Sequence, residues 1–299
     1  MGDVLAGFHT VWEFDADSVL IRFERGIRTP KLLQVLGERR IPYEALAGVE
    51  LTPGKRGTVV LRAVPRPGAD PLMDAADGQL KEGCDPYRLV LPAEREVLAE
   101  YYADTVRGAL GPEAGMPAET YLVAAPPPPL SFKAYDGKAS FDGSSVIFRW
   151  FWTGASSAKW KAGDQRFQIS ELAGVEWRSP EVFNGYLRLV ARGSDGSESR
   201  EADQNPAAVV FGMGYGLVHD SLPFAAAVLE AVRAGSGGGA GSGLHGTAVP
   251  GPVEPQQVAA RPDPAHIADR IRHLGDLHQA GLLTDDEFTA KKAELLAEL

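Results

Sequence analysis

Leu46-Ala47-Gly48-Val49-Glu50 returns as Leu172-Ala173-Gly174-Val175-Glu176, and this echo decides how the rest of the chain is read. A second landmark precedes each copy: Phe14-Asp15 with Ser18-Val19, and Phe141-Asp142 with Ser145-Val146. The pentapeptides are offset by 126 residues and the upstream landmarks by 127, so both motifs stay in register to within one residue. A period that long means duplicated domains and not a solenoid of short units. The pentapeptide itself is read as fold maintenance: Val49-Glu50-Leu51 alternates as a half-exposed strand does, and the small Ala-Gly pair is expected to let two backbones approach.

Upstream of the first echo, Gly7 to Phe23 is rich in β-formers, with Phe8, Val11, Trp12 and Phe14 before the turn chemistry of Asp15-Ala16-Asp17-Ser18 and Val19 to Phe23 after it. Asp and Ser side chains bond to nearby backbone and stabilise a reversal, so the segment is expected to be a hairpin. The second copy repeats it with Asp142-Gly143, a stronger turn signal because glycine accepts positive φ. A variable basic stretch separates each hairpin from its echo. Thr58–Val64 and Tyr186–Ala191 read as the next matched strands, followed by loops of low pattern. In the first copy Pro92 opens a helical spacing of Val97, Leu98, Tyr101, Tyr102, Thr105 and Val106; in the second, a helix is expected to start at Pro223 and stop at Gly235. Each repeat therefore reads as short antiparallel strands closed by one helix.

The chain has 299 residues, room for two domains that each bury a core. The formal net charge of -10 makes nucleic acid a poor partner, because phosphate contacts need concentrated Lys and Arg. The single cysteine, Cys84, forms no intrachain disulfide, which suits a reducing cytoplasm, and no spaced His and Asx partners mark it as a nucleophile. No signal peptide is legible at Met1-Gly2-Asp3-Val4, and Ala207 to Val218 is too short and glycine-broken to span a bilayer. A cytoplasmic protein, peripheral to a membrane at most, is the expectation.

The domains are expected at 1–110 and 131–235, with a Pro-rich linker at 111–130 and a Gly-, Ser- and Pro-rich linker at 236–263. Within the first linker Pro126 to Pro129 favours extended polyproline structure, and Tyr121-Leu122-Val123 is a candidate for lying against a domain as an extra strand. Residues 264–299 read as a helical hairpin. Ile267, Ile271, Leu274 and Leu277 form one stripe, Gly281 ends it, and Thr284 to Glu287 make a capping box with Leu283 and Phe288 as the staple. Leu295 and Leu296 continue the second apolar face. So short a unit does not bury enough surface to fold alone, so these eight residues are expected to pack against another copy or another protein; docking onto its own domains is the competing account, disfavoured because a permanently docked tail needs no long flexible tether.

The tail pattern from Ile271 through Gly281-Leu282-Leu283-Thr284 and Glu287-Phe288 to Leu295-Leu296 resembles SHOCT, a short C-terminal bacterial domain associated with oligomerisation. On its Phe-Asp and Leu-Ala-Gly-Val-Glu landmarks, the body resembles an uncharacterised actinobacterial domain family that occurs as duplicated copies ahead of such a tail. Those copies are similar to bacterial pleckstrin-homology-like folds. The resemblance implies a mainly β protein with helices (α+β): two tandem β-barrel or sandwich domains, each closed by a C-terminal helix, then a flexible linker and the helical hairpin. It implies no catalytic residues.

Little else carries chemistry. Gly212-Met213-Gly214-Tyr215-Gly216 lacks the spacing and the lysine of a phosphate loop and reads as a turn. The six histidines show no metal spacing, so no metal and no cofactor are expected. The binding candidate is the basic stretch before each echo: Arg22, Arg25, Arg28 and Lys31 in the first copy, and Trp150, Trp152, Lys159 and Trp160 in the second. Cations interleaved with rings suit an anionic headgroup surface, and core or interdomain packing is the competing account of the tryptophans. The expected function is a non-enzymatic scaffold multiplied by its tail, with a peripheral membrane adaptor as the alternative.

Overall fold

A computed structural model describes residues 3–193 and 201–237, together with Thr289. The chain divides into two compact units, Met1–Gly241 and Ser242–Leu299. In the first unit, the first repeat runs β1 (Asp3–Ala6), β2 (Thr10–Phe14), β3 (Ser18–Phe23), α1 (Lys31–Leu36), β4 (Glu38–Pro42), β5 (Leu46–Pro53), β6 (Thr58–Pro65), α2 (Pro71–Ala76), β7 (Arg88–Pro92) and α3 (Glu96–Ala109). The second runs β8 (Leu130–Lys133), β9 (Gly137–Phe141), β10 (Ser145–Trp150), α4 (Ser157–Ala162), β11 (Gln165–Gln168), β12 (Leu172–Arg178), β13 (Tyr186–Ala191), β14 (Ala208–Val210) and α5 (Val218–Gly237). The described residues form four antiparallel sheets, one of four strands and one of three in each repeat. The protein is thus mainly β with a few helices.

The landmarks fall where their chemistry is needed. Asp142 closes the β9–β10 turn: its Oδ1 accepts from the backbone N–H groups of Ser144 and Ser145 at 2.8 and 2.7 Å. Those donors hold its carboxyl well below the ordinary carboxylate range. In the first copy the Asp15 carbonyl accepts from the Tyr43 hydroxyl and its carboxylate pairs with Arg40, so the turn is tied to the segment leading into the echo. Each echo opens a strand after one 3-10 turn, Tyr43–Ala45 or Ile169–Glu171. The expected close backbone approach at the Ala-Gly pair is not found: a Cβ on Gly48 or Gly174 would meet nothing within 4 Å. Instead the pairing register slips between Leu46 and Gly48, and again between Leu172 and Gly174, a β-bulge in each copy. A bulge bends and twists its strand, so its recurrence copies one bend into both sheets.

The closing helices are α3 and α5. Ala99, Tyr102, Ala103 and Val106 are the buried face of α3, and the Tyr102 ring stacks on Phe14 at 4.5 Å. The second helix begins a turn earlier than expected, at Val218, and Pro223 lies inside it. The Ser221 hydroxyl donates to the Gly216 and Leu217 carbonyls and anchors that extra turn, so an interior proline, which removes one backbone bond, is tolerated.

The repeats are fused by α2, which falls in a stretch that reads from sequence as loop. Leu32, Leu72, Ala75 and Ala76 belong to the same buried cluster as the second repeat's core, and α2 packs on α5 and β12. Polar bonds reinforce the weld. The Gln79 side chain donates to the Trp177 carbonyl and accepts from the Ser179 N–H, while Arg233 on α5 donates to the Gly68 carbonyl. The segment expected as a linker is part of it. Leu122 and Val123 donate their N–H groups to the Ala69 carbonyl without forming a strand, Val123 is buried, and the Tyr121 ring lies 4.2 Å from the Arg233 guanidinium.

Beneath α2 sits a buried polar knot. Asp70 caps the helix by accepting from the Leu72 N–H at 2.9 Å, receives Arg39 bidentately at 2.7 and 2.8 Å, and accepts from the Tyr87 hydroxyl at 2.7 Å. Burial works against the Arg39 charge, but Asp70 outweighs it and holds the guanidinium above its usual value; burial, aided by Asp70, pushes the Tyr87 hydroxyl up.

Candidate functional site

The first-copy candidates surround the β3–α1 loop. Strand β3, interior to its sheet, ends at Phe23, and Thr29-Pro30 turns the chain into α1, leaving residues 24–28 on the surface. Arg25, Arg28 and Lys31 are exposed there, and Ile27 between them is fully exposed, at 106 %. The loop is held in shape by Gln34, whose amide donates to the Gly26 and Thr29 carbonyls. Arg22 is exposed but committed, pairing with Glu13 at 2.5 Å and Glu38 at 3.5 Å. Three cations and one aliphatic side chain therefore point outward from a braced loop.

The second copy does not reproduce that surface. Trp150 is buried and donates its indole N–H to the Gly163 carbonyl at 2.8 Å. Lys159, read from sequence as a ligand contact, has no exposed surface: its ammonium pairs with buried Asp136 and lies 5.0 Å from the Trp150 ring centroid. Burial lowers the Lys159 pKa and raises that of Asp136, and each is drawn back by the other's charge. Asp136 also accepts from the Val210 N–H at 2.9 Å, so the pair staples the β8–β9 turn to β14. Trp152 is half-buried, and Trp160 stands 54 % exposed. Two of the four second-copy candidates are therefore structural, because a tertiary partner 23 residues away consumes the lysine.

A cleft of about 420 Å³ lies between the repeats, lined by Lys31, Lys81, Cys84, Glu181, Met213 and His219 among others. Its charges are partly satisfied across the junction, Lys81 to Glu181 at 2.8 Å. Burial pushes the Cys84 thiol up, which disfavours the thiolate a nucleophile needs. The glycine-rich stretch at one rim is a tight turn, with Gly212 and Tyr215 bonded backbone to backbone. Gly216 there has φ +67° and so little room that a Cβ would sit 2.1 Å from the Phe211 ring. Met213, at its tip, is 99 % exposed. Among the described residues no group of three or more His, Cys, Asp or Glu could hold a metal ion. Nor is any helix among them long and apolar enough to cross a membrane. Ile267, Ile271, Leu274, Leu277, Leu283, Phe288, Leu295 and Leu296 lie outside the described residues.

Two family models match the sequence. The domain of unknown function DUF4429 matches residues 12–107 and 139–229, and the short C-terminal domain SHOCT matches residues 269–296. The comparison with curated proteins gives no match. With a match on each repeat, together covering more than half of its length, the chain belongs to the DUF4429 family, as a tandem pair followed by a C-terminal SHOCT domain.

Proposed function

We propose that this protein is a non-enzymatic cytoplasmic interaction platform, in which two pleckstrin-homology-like repeats form one rigid body and the SHOCT tail multiplies that body by self-assembly. The observation that carries the reading is the weld. A first-repeat helix completes the second repeat's core, so the pair is built to present surfaces in a fixed arrangement. The four strands, three strands and closing helix of each copy support the pleckstrin-homology-like body. The tail's apolar stripe is too small to fold alone and supports assembly. Light scattering of the full chain and of a chain ending at Gly241 tests this. The full chain is expected to be multimeric and the shorter one of lower oligomeric order; both chains monomeric at micromolar concentration refute it.

A second reading, an adaptor docking on anionic lipid, draws on the β3–α1 loop, where exposed Ile27 is flanked by Arg25 and Arg28. An aliphatic tip enters the headgroup boundary while cations meet phosphate. Binding to phosphatidylserine vesicles that weakens with salt and with Ile27→Asp or Arg28→Glu would establish it. Binding indifferent to lipid charge would remove it.

A further inference from the structure

Within the chain, the first repeat contacts the second through unlike surfaces. Helices α1 and α2 lie on one side and the closing helix α5 on the other. A contact of that kind between two similar bodies is heterologous, and it leaves one surface of each kind unused at the two ends.

The first unused end is α3. At the offset of 126 residues that relates the echoes, Ala99, Tyr102 and Val106 correspond to Ala225, Val228 and Val232, and all six are buried. The neighbouring positions differ. Val97, Leu98 and Tyr101 are 84, 42 and 59 % exposed, whereas their counterparts Pro223, Phe224 and Ala227 are buried. Phe224 meets Phe132 and Phe141 of its own sheet; α5 also packs on β8, β12 and the Ile169–Glu171 turn of its own repeat, and the first repeat's α1 and α2 cover it as well. Arg95, just before α3, donates to the Ala6 carbonyl and ties the start of the helix to the end of β1.

The second unused end is α4, the counterpart of α1. Ala158 and Ala162 stand where α1 has Leu32 and Leu36, and beside them Trp160 is exposed. Lys161 next to it in sequence is exposed, as is Arg149, whose guanidinium lies 3.9 Å from the Asp164 carboxylate, while Glu94 and Glu96 are exposed at the start of α3. Glu100 and Asp104 farther along are held by Arg107. The two ends thus match in chemistry: an apolar face with an acidic rim, and a tryptophan with a basic rim.

We propose that α4 of one copy, led by Trp160, seats on the Val97, Leu98 and Tyr101 face of α3 in the next copy, continuing between chains the α1 part of the contact that joins the repeats within one. Such a heterologous contact builds head-to-tail assemblies, rings where its rotation closes and open chains where it does not. It is separate from the tail, which all variants below retain, so its failure is distinguishable from failure of tail-driven assembly.

Sedimentation of the full chain tests it. The wild type is expected to gain mass steadily with concentration, while Tyr101→Glu and Trp160→Glu, each at an exposed position, each stop at a lower fixed mass. An equimolar mixture of the two variants is the decisive measurement, since each keeps the surface the other lacks. It is expected to show species heavier than either variant reaches alone. A wild type whose mass is unchanged by both substitutions, or a mixture that stays at the mass of its parts, overturns the proposal.

Discussion

Asp70→Ala isolates the polar knot under α2. The carboxylate makes four hydrogen bonds, to Arg39 twice, to the Tyr87 hydroxyl and to the Leu72 N–H. Arg39 and Asp70 side chains are only 4 and 1 % exposed, so removal of the acid leaves a guanidinium that water does not reach. Breaking one side of such a buried pair costs about 3–5 kcal/mol, and loss of the helix cap adds about 1 kcal/mol. Against a typical total of about 5–15 kcal/mol, the variant is expected to fold marginally at 25 °C. Asp70→Asn retains a cap oxygen and should lose about 1 kcal/mol less. The double substitution Arg39→Met with Asp70→Asn should recover a large part of the loss, because the cost arises from an unpaired charge and not from the missing attraction. Urea unfolding followed by tryptophan fluorescence gives these differences from the midpoints at constant slope. An Asp70→Ala loss below about 1 kcal/mol would refute the argument, as would a double variant no better than the single one.

Two further outcomes follow from the same structure. Leu72→Ala removes a fully buried side chain that the first repeat contributes to the second repeat's cluster. It should cost about 2–5 kcal/mol and shift the fluorescence of both repeats in one transition; two separated transitions would contradict the shared core. The depressed Asp142 carboxyl contributes stability that is full above its unfolded pKa of about 4 and is lost as pH falls below it toward the folded value. Asp142→Ala should therefore destabilise the protein at pH 6 and by progressively less as the pH falls from about 5 toward 2, and a difference independent of pH would show that the turn bonds do not set that pKa.

The elements legible in the sequence are those whose cause is local. Asp15 and Asp142 announce their turns because an aspartate bonds to backbone two and three residues away, and the closing helices show their period because each lies on its own sheet. Helix α2 is invisible to that kind of reading. Its buried residues, Leu72, Ala75 and Ala76, are small and their partner is another repeat, so no strong amphipathic stripe marks it. The Asp70-Pro71 pair, a cap followed by proline at the first helical position, was the one local signal for it. Lys159 fails differently: Lys-Trp-Lys reads as a solvated basic run, and only the fold brings Asp136 to it. On the candidate surface, the basic character of Arg25, Arg28 and Lys31 is legible but their exposure is not, with Glu24 and Glu38 in the same stretch; the fold leaves all three exposed. Nor is the pairing of Arg22 legible, since Glu13 reaches it across the β2–β3 pairing.

The weld also sets a distance. Where two domains hang on a flexible tether, the second binding event samples many separations, and its effective concentration varies smoothly with linker length. Here the strap from Ala118 to Ala125 is packed down and α2 is built into the neighbouring core, so the first repeat cannot swing away from the second. If each repeat binds a target, as proposed, the pair would act as a caliper, holding two targets together at its pitch and only one at a time at any other spacing.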